Sequence, residues 1–128
     1  MSDENRIDIL LVENDEFSII LIKKILSRKY NIHLAKDGNS SIEMCRQTKY
    51  SIILMDINLG FGLNGLDATR AIKKLEGYEN TPVIAITAYT LKKDIKSIFD
   101  AGCSHYFPKP LDIDKFLITL NEIVQQLD

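Results

Sequence analysis

The chain is 128 residues long, 45% hydrophobic and 27% charged, with a formal net charge of -2. That length suits one domain of ordinary size with a substantial core, and the composition excludes a disordered chain. The near balance of charge points to neither nucleic acid nor a membrane surface. No apolar stretch approaches the ~20 residues that cross a bilayer, and the polar tail at residues 1–6 lacks a signal-peptide core, so a single cytoplasmic domain over 1–128 is expected.

From the N-terminus, the run Ile9-Leu10-Leu11-Val12 predicts a first strand over about residues 7–12, buried on both faces and followed directly by Glu13 and Asn14. A helix is expected over about 16–29, capped by Asp15. Phe17, Ile20, Leu21 and Ile25 meet its inward stripe, which leaves Ile19, Ile22 and Leu26 as surplus apolar positions. A second strand over about 31–35 leads through Asp37-Gly38 into a helix with Ile42 and Cys45 on one face. The third strand, Ile52-Ile53-Leu54-Met55, ends at Asp56. A glycine-rich loop over 59–65 then delivers a helix with Ala68, Ile72 and Leu75 inward. Thr81-Pro82 opens a fourth strand, Val83 to Ile86, ending at Thr87. The next helix carries Leu91, Ile95, Ile98 and Phe99 at helical spacing and stops at Ala101-Gly102. After the short strand His105-Tyr106-Phe107 and Lys109-Pro110, a last helix behind Asp112 sets Ile113, Phe116, Leu117, Leu120, Val124 and Leu127 in one stripe. Strand and helix alternating five times predict an α/β fold, a parallel sheet covered on both faces through right-handed crossovers.

Ligands of an open parallel sheet bind at the carboxyl ends of its strands. Glu13, Asp56, Thr87 and Lys109 all fall there, so two acids, a hydroxyl and an ammonium converge on one rim. That set suits a divalent cation and a phosphoryl group: a carboxylate accepts phosphoryl as an acyl phosphate, and the transfer needs mainly positioning and charge neutralisation. Cys45 and Cys103, far apart and without CxxC spacing, read as buried free thiols, and His33 and His105 lack metal-ligand spacing.

These residues resemble the receiver domain of two-component response regulators over essentially the whole chain, most like the receivers of hybrid histidine kinases. The matching pieces are Ile9-Leu10-Leu11-Val12-Glu13, Leu54-Met55-Asp56-Ile57-Asn58, Gly65-Leu66-Asp67-Ala68-Thr69, Val83-Ile84-Ala85-Ile86-Thr87-Ala88 and Lys109-Pro110. The resemblance implies a flavodoxin-like sheet of order 2-1-3-4-5. It implies that Asp56 accepts a phosphoryl group from a phosphohistidine on a histidine kinase or histidine phosphotransferase, and that no external substrate is turned over. Mg2+ would be held by Glu13, Asn14, Asp56 and the Asn58 carbonyl. Lys109 and Thr87 would contact the phosphoryl oxygens, and Tyr106 would rotate as Thr87 moves inward, remodelling a surface read by a downstream protein. Tyr89 would flank the site, and the surplus apolar face of the first helix would dock the phosphodonor.

Two departures stand out. The family's first acidic pair is usually two carboxylates, and here it reads Glu13-Asn14, so one charge beside the cation is missing. Even ~1.4 kcal/mol lost would weaken metal binding tenfold. Where receivers commonly carry a proline after the acceptor, this chain has Gly60, in a loop one residue longer. The alternative reading is therefore a receiver-fold interaction module that works without phosphorylation. A flavin site would need a phosphate loop where the acidic Glu13-Asn14-Asp15-Glu16 stands, and a haloacid-dehalogenase-type phosphatase would need an acid at position 58, which is Asn.

Overall fold

Apolar runs become strands here because both faces of the sheet are covered. In the computed structural model, which describes residues 6–59, 62–88 and 91–127, the strands are β1 (Asp8–Val12), β2 (Asn31–Ala35), β3 (Ile52–Asp56), β4 (Val83–Thr87) and β5 (His105–Pro108). They alternate with helices α1 (Glu16–Leu26), α2 (Gly38–Gln47), α3 (Gly65–Lys73), α4 (Lys92–Asp100) and α5 (Ile113–Gln125). All pairings are parallel and the order is β2-β1-β3-β4-β5, as the resemblance implied.

Side-chain alternation along the strands divides the core into two layers. Leu10, Val12, Ile53, Met55 and Ala85 face a layer shared with Ile42, Ile72 and Ile98 of α2, α3 and α4. Ile9, Leu11, Leu54 and Ile84 face the other, closed by Ile22 and Leu26 of α1 and by Phe116 and Leu120 of α5. Phe107 and Phe116 meet edge to face there at 5.3 Å.

The helix signals read from sequence are realised as caps. The Asp15 carboxylate accepts from Ser18 N–H and Asp112 from Lys115 N–H, and Asp37 and Asn64 cap α2 and α3 the same way. Each such cap stabilises its helix by about 1 kcal/mol. Gly102, at φ +116, takes the left-handed conformation that ends α4. Cys45 and Cys103 are buried free thiols, as expected.

One expectation is overturned. The core face of α1 is Ile19, Ile22 and Leu26, with Ile22 only 1% exposed, whereas Phe17 and Ile20 stand 73% and 62% exposed. Leu21 and Ile25, also expected inward, are half-buried, and Ile25 packs against the core. The segment is apolar on almost every side, so its pattern allowed more than one inward phase. The contact with β1, β3 and α5 selected the one carrying Ile22 and Leu26. The helix also ends at Leu26, three residues early, where Lys29 and Tyr30 N–H both fold back onto the Leu26 carbonyl. In α4 only Ile98 is buried, while Leu91 and Phe99 are exposed.

Candidate functional site

The register of the parallel ladders sets the strand ends level. Val12 pairs with Met55, Asp56 with Ile86 and Thr87 with Pro108, so residues 13, 56, 87 and 109 share one rim. Backbone bonds extend the ladders to the functional residues. Glu13 N–H donates to the Ala35 carbonyl at 3.0 Å, and Lys109 N–H donates to the Thr87 carbonyl at 2.8 Å. The Lys109–Pro110 bond is cis.

The two acids are buried, Glu13 1% and Asp56 7% exposed. One ammonium serves both: Lys109 Nζ donates to Glu13 Oε1 at 2.9 Å and lies 3.5 Å from Asp56 Oδ2. The lysine thus leans towards Glu13. Glu13 Oε2 also accepts from the backbone N–H of Asn14 and Asp15, at 3.1 and 3.2 Å. Asp56 Oδ1 accepts from Asn58 N–H at 3.2 Å. Burial, then a hydrogen bond and repulsion from Glu13, push the Asp56 carboxyl up to about 7, against the pull of Lys109 and Asn58 N–H. Burial works to lower Lys109, but its bond to Glu13 and the attraction of both acids outweigh this and leave it above its ordinary value. When both are ionised, two buried carboxylates facing Lys109 leave one negative charge over, and hard oxygen donors so charged fit Mg2+. Among the described residues no cluster of three or more His, Cys, Asp or Glu side chains suited to a metal occurs. Further ligands would therefore be backbone carbonyls, such as that of Asn58, and water.

In Asn14, expected beside the cation, the amide Nδ2 donates to the Leu59 carbonyl at 3.0 Å. Neither neighbour replaces the missing acid. Asp15 is held by Ser18 N–H and Oγ, which lower its carboxyl, and Glu16 pairs with Lys36 at 3.2 Å. Thr87 is fully buried at the end of β4. Tyr106 is half-buried on β5 and borders a surface cavity of about 310 Å³ with Phe107, Pro108, Pro110, Asp112 and Lys115. Tyr89 and Gly60 lie outside the described residues. The histidines are occupied locally, His33 with Asp8 at 3.1 Å and His105 with Ser104 at 2.9 Å.

Sequence reasoning assigned no role to Gly65. A Cβ there would stand 2.3 Å from the Asp56 carbonyl and 2.7 Å from Ile57 Cα, so α3 starts in direct contact with the backbone of the acceptor. The signals in the sequence were its place between a loop and a helix and at the head of the matching piece Gly65-Leu66-Asp67-Ala68-Thr69.

Residues 9–121 match the family model described as the response regulator receiver domain. The chain is 30% identical over 113 residues to the polar-differentiation response regulator DivK of Brucella ovis, covering 88% of this chain and 91% of that protein. It is 34% identical over 112 residues to hybrid signal transduction histidine kinase I of Dictyostelium discoideum, covering 81% of this chain but 6% of that much longer protein. Among solved structures, the receiver domain of the sensor histidine kinase PA1611 from Pseudomonas aeruginosa carries a magnesium ion in its active-site cleft. It superposes with a TM-score of 0.86 at 31% identity, covering 94% of this chain and 99% of that one. A two-component response regulator from Clostridium difficile shares the fold, with a TM-score of 0.86 at 22% identity over 94% of this chain and 98% of that one.

Proposed function

Since the chain belongs to the response regulator receiver domain family of two-component signalling, we propose that it is a phosphoacceptor in a phosphorelay. A carboxylate oxygen of Asp56 forms a bond to phosphorus as the bond from phosphorus to the partner's histidine nitrogen breaks, and the electron pair returns to the imidazole. The observation that carries this reading is Asp56 buried beside Glu13 and Lys109, with one negative charge left over. Glu13, Asp56 and the Asn58 carbonyl would hold Mg2+, which when bound neutralises charge on the carboxylates and on the incoming phosphoryl oxygens. Lys109, already within reach, pairs with those oxygens, and the Thr87 hydroxyl donates to one of them only once it has arrived. Because Lys109 N–H is bonded to the Thr87 carbonyl, the ends of β4 and β5 respond together, and Tyr106 passes the change to the α4–β5–α5 surface for a downstream protein. The domain acts on no external substrate; it assists its own phosphorylation and dephosphorylation.

Intact mass before and after acetyl phosphate with Mg2+ tests the reading, with a gain of one phosphoryl group expected. An unchanged mass, with partner binding intact, would favour the interaction module that works without phosphorylation. Lys109→Ala, examined in Mg2+, should still take up the cation but fail to shift the β4–β5 region when beryllofluoride is added, because the charge acting on the phosphoryl oxygens is gone. A parent-like spectral response would contradict that role.

The docking surface expected on α1 moves with the correction to that helix. Phe17 and Ile20, three residues apart on one exposed face beside the site loop, are the apolar positions a phosphodonor's helix would cover. Ile20→Glu should slow transfer from a phosphohistidine protein about tenfold, leave acetyl phosphate labelling unchanged and alter stability by less than about 0.5 kcal/mol. Equal slowing of both reactions would remove the docking role.

A further inference from the structure

We propose that Asn14 is a positioning residue, a latch whose side-chain amide holds the loop after β3 against the loop after β1. It thereby sets where the Asn58 carbonyl and the Asp56 carboxylate stand relative to Glu13. The bond from Asn14 Nδ2 to the Leu59 carbonyl, at 3.0 Å, joins residues 45 apart in sequence. Each end adjoins a group of the site, since Asn14 follows Glu13 and Leu59 follows Asn58. Both ends are themselves anchored. The backbone N–H of Asn14 donates to Glu13 Oε2 at 3.1 Å, and the Leu59 side chain is buried in the layer beneath α2–α4. Two further bonds of this loop, Asn58 N–H to Asp56 Oδ1 at 3.2 Å and Gly65 N–H to the Ile57 carbonyl at 3.0 Å, lie within the loop and the start of α3. The Asn14 bond instead reaches this loop from the carboxyl end of the neighbouring strand, β1.

A carboxylate at position 14 accepts hydrogen bonds but donates none, and would set its charge against the Leu59 carbonyl oxygen. The neutral amide is therefore required by the contact it makes, rather than being a weakened copy of an acidic ligand. Aspartate at this position is also not a silent isostere, because it removes a donor from a formed bond. The bond joins two protein groups; its effect on the cation rests on the phosphoacceptor reading.

Backbone amide exchange in chelator, followed by Mg2+ titration of the same amides by chemical shift, tests this on Asn14→Ala and Asn14→Asp. Both variants should exchange about two- to tenfold faster at Asn58 and Gly65 in chelator, with the β3 core amides unchanged. Asn14→Ala should also bind Mg2+ about two- to tenfold more weakly at an unchanged melting temperature. Parent-like exchange in chelator, with differences appearing only once Mg2+ is added, would overturn the latch and make residue 14 a cation ligand. Faster exchange through the whole sheet would overturn it in favour of a general stabilising role. No Mg2+ response in the parent, together with loop-confined acceleration in the variants, would retract the cation reading and uphold the latch.

Discussion

Asp56→Asn should yield no phosphoryl adduct with acetyl phosphate or with a phosphohistidine donor, and in chelator at pH 8 it should be more stable than the parent. The first half follows from chemistry: an amide cannot form the acyl phosphate. The second follows from the cost of burying two acids against one ammonium. The Asp56 carboxyl sits at about 7 instead of 3.8, so the folded state holds this proton more tightly than the unfolded chain does. Its favourable contribution is complete at low pH, declines as pH rises from about 4 to about 7, and stays lost above that. Asparagine never ionises and escapes the decline, while Lys109 keeps Glu13 as its partner at 2.9 Å. A gain of about 1–2 kcal/mol at pH 8 is expected, with a flatter pH profile in the variant and a smaller rise in melting temperature on adding Mg2+. Thermal melts from pH 4 to 8, with and without Mg2+, measure this. Undiminished labelling of the variant would remove Asp56 as the acceptor, and parallel pH profiles would remove it as the strained acid.

Gly65→Ala should be nearly as damaging without touching a functional side chain. The added methyl meets the Asp56 carbonyl at 2.3 Å and Ile57 Cα at 2.7 Å. Both are backbone atoms of buried residues, so no flexible side chain can swing aside. The loop or α3 must shift, at about 2–3 kcal/mol by analogy with overpacked cores, and the acceptor shifts with it. Labelling by acetyl phosphate should fall at least about tenfold, since about 1.4 kcal/mol of lost positioning suffices. Gly62 provides the internal control: its φ of +82 is strained for alanine, yet a Cβ there meets nothing within 4 Å. Gly62→Ala should cost about 1 kcal/mol and leave labelling intact. If the two variants behaved alike, contact with the Asp56 backbone would not be what position 65 requires.

Residues whose role depends on where a strand ends were legible in the sequence. Glu13, Asp56, Thr87 and Lys109 could be placed because a strand buried on both faces is a continuous apolar run with an abrupt polar end. Asp15 and Asp112 could be placed as caps because capping is local. The inward face of α1 could not, since a helix apolar on nearly all sides has no unique phase until a sheet and α5 choose one. The use of Asn14 and Gly65 was hidden for a different reason. Each acts on a backbone carbonyl contributed by another segment, and backbone positions leave no letter in the sequence.

The two thiols are native reporters. Cys45 and Cys103 both lie in the layer beneath α2–α4, and burial raises both, Cys103 to about 11. A thiol reagent meets neither until that layer parts, and the layer closed by α1 and α5 contains no cysteine to respond. Labelling kinetics therefore count openings on one side of the sheet alone. Cys103, just after α4 and ahead of β5, samples the side on which the proposed signal would emerge, with no probe added to the chain.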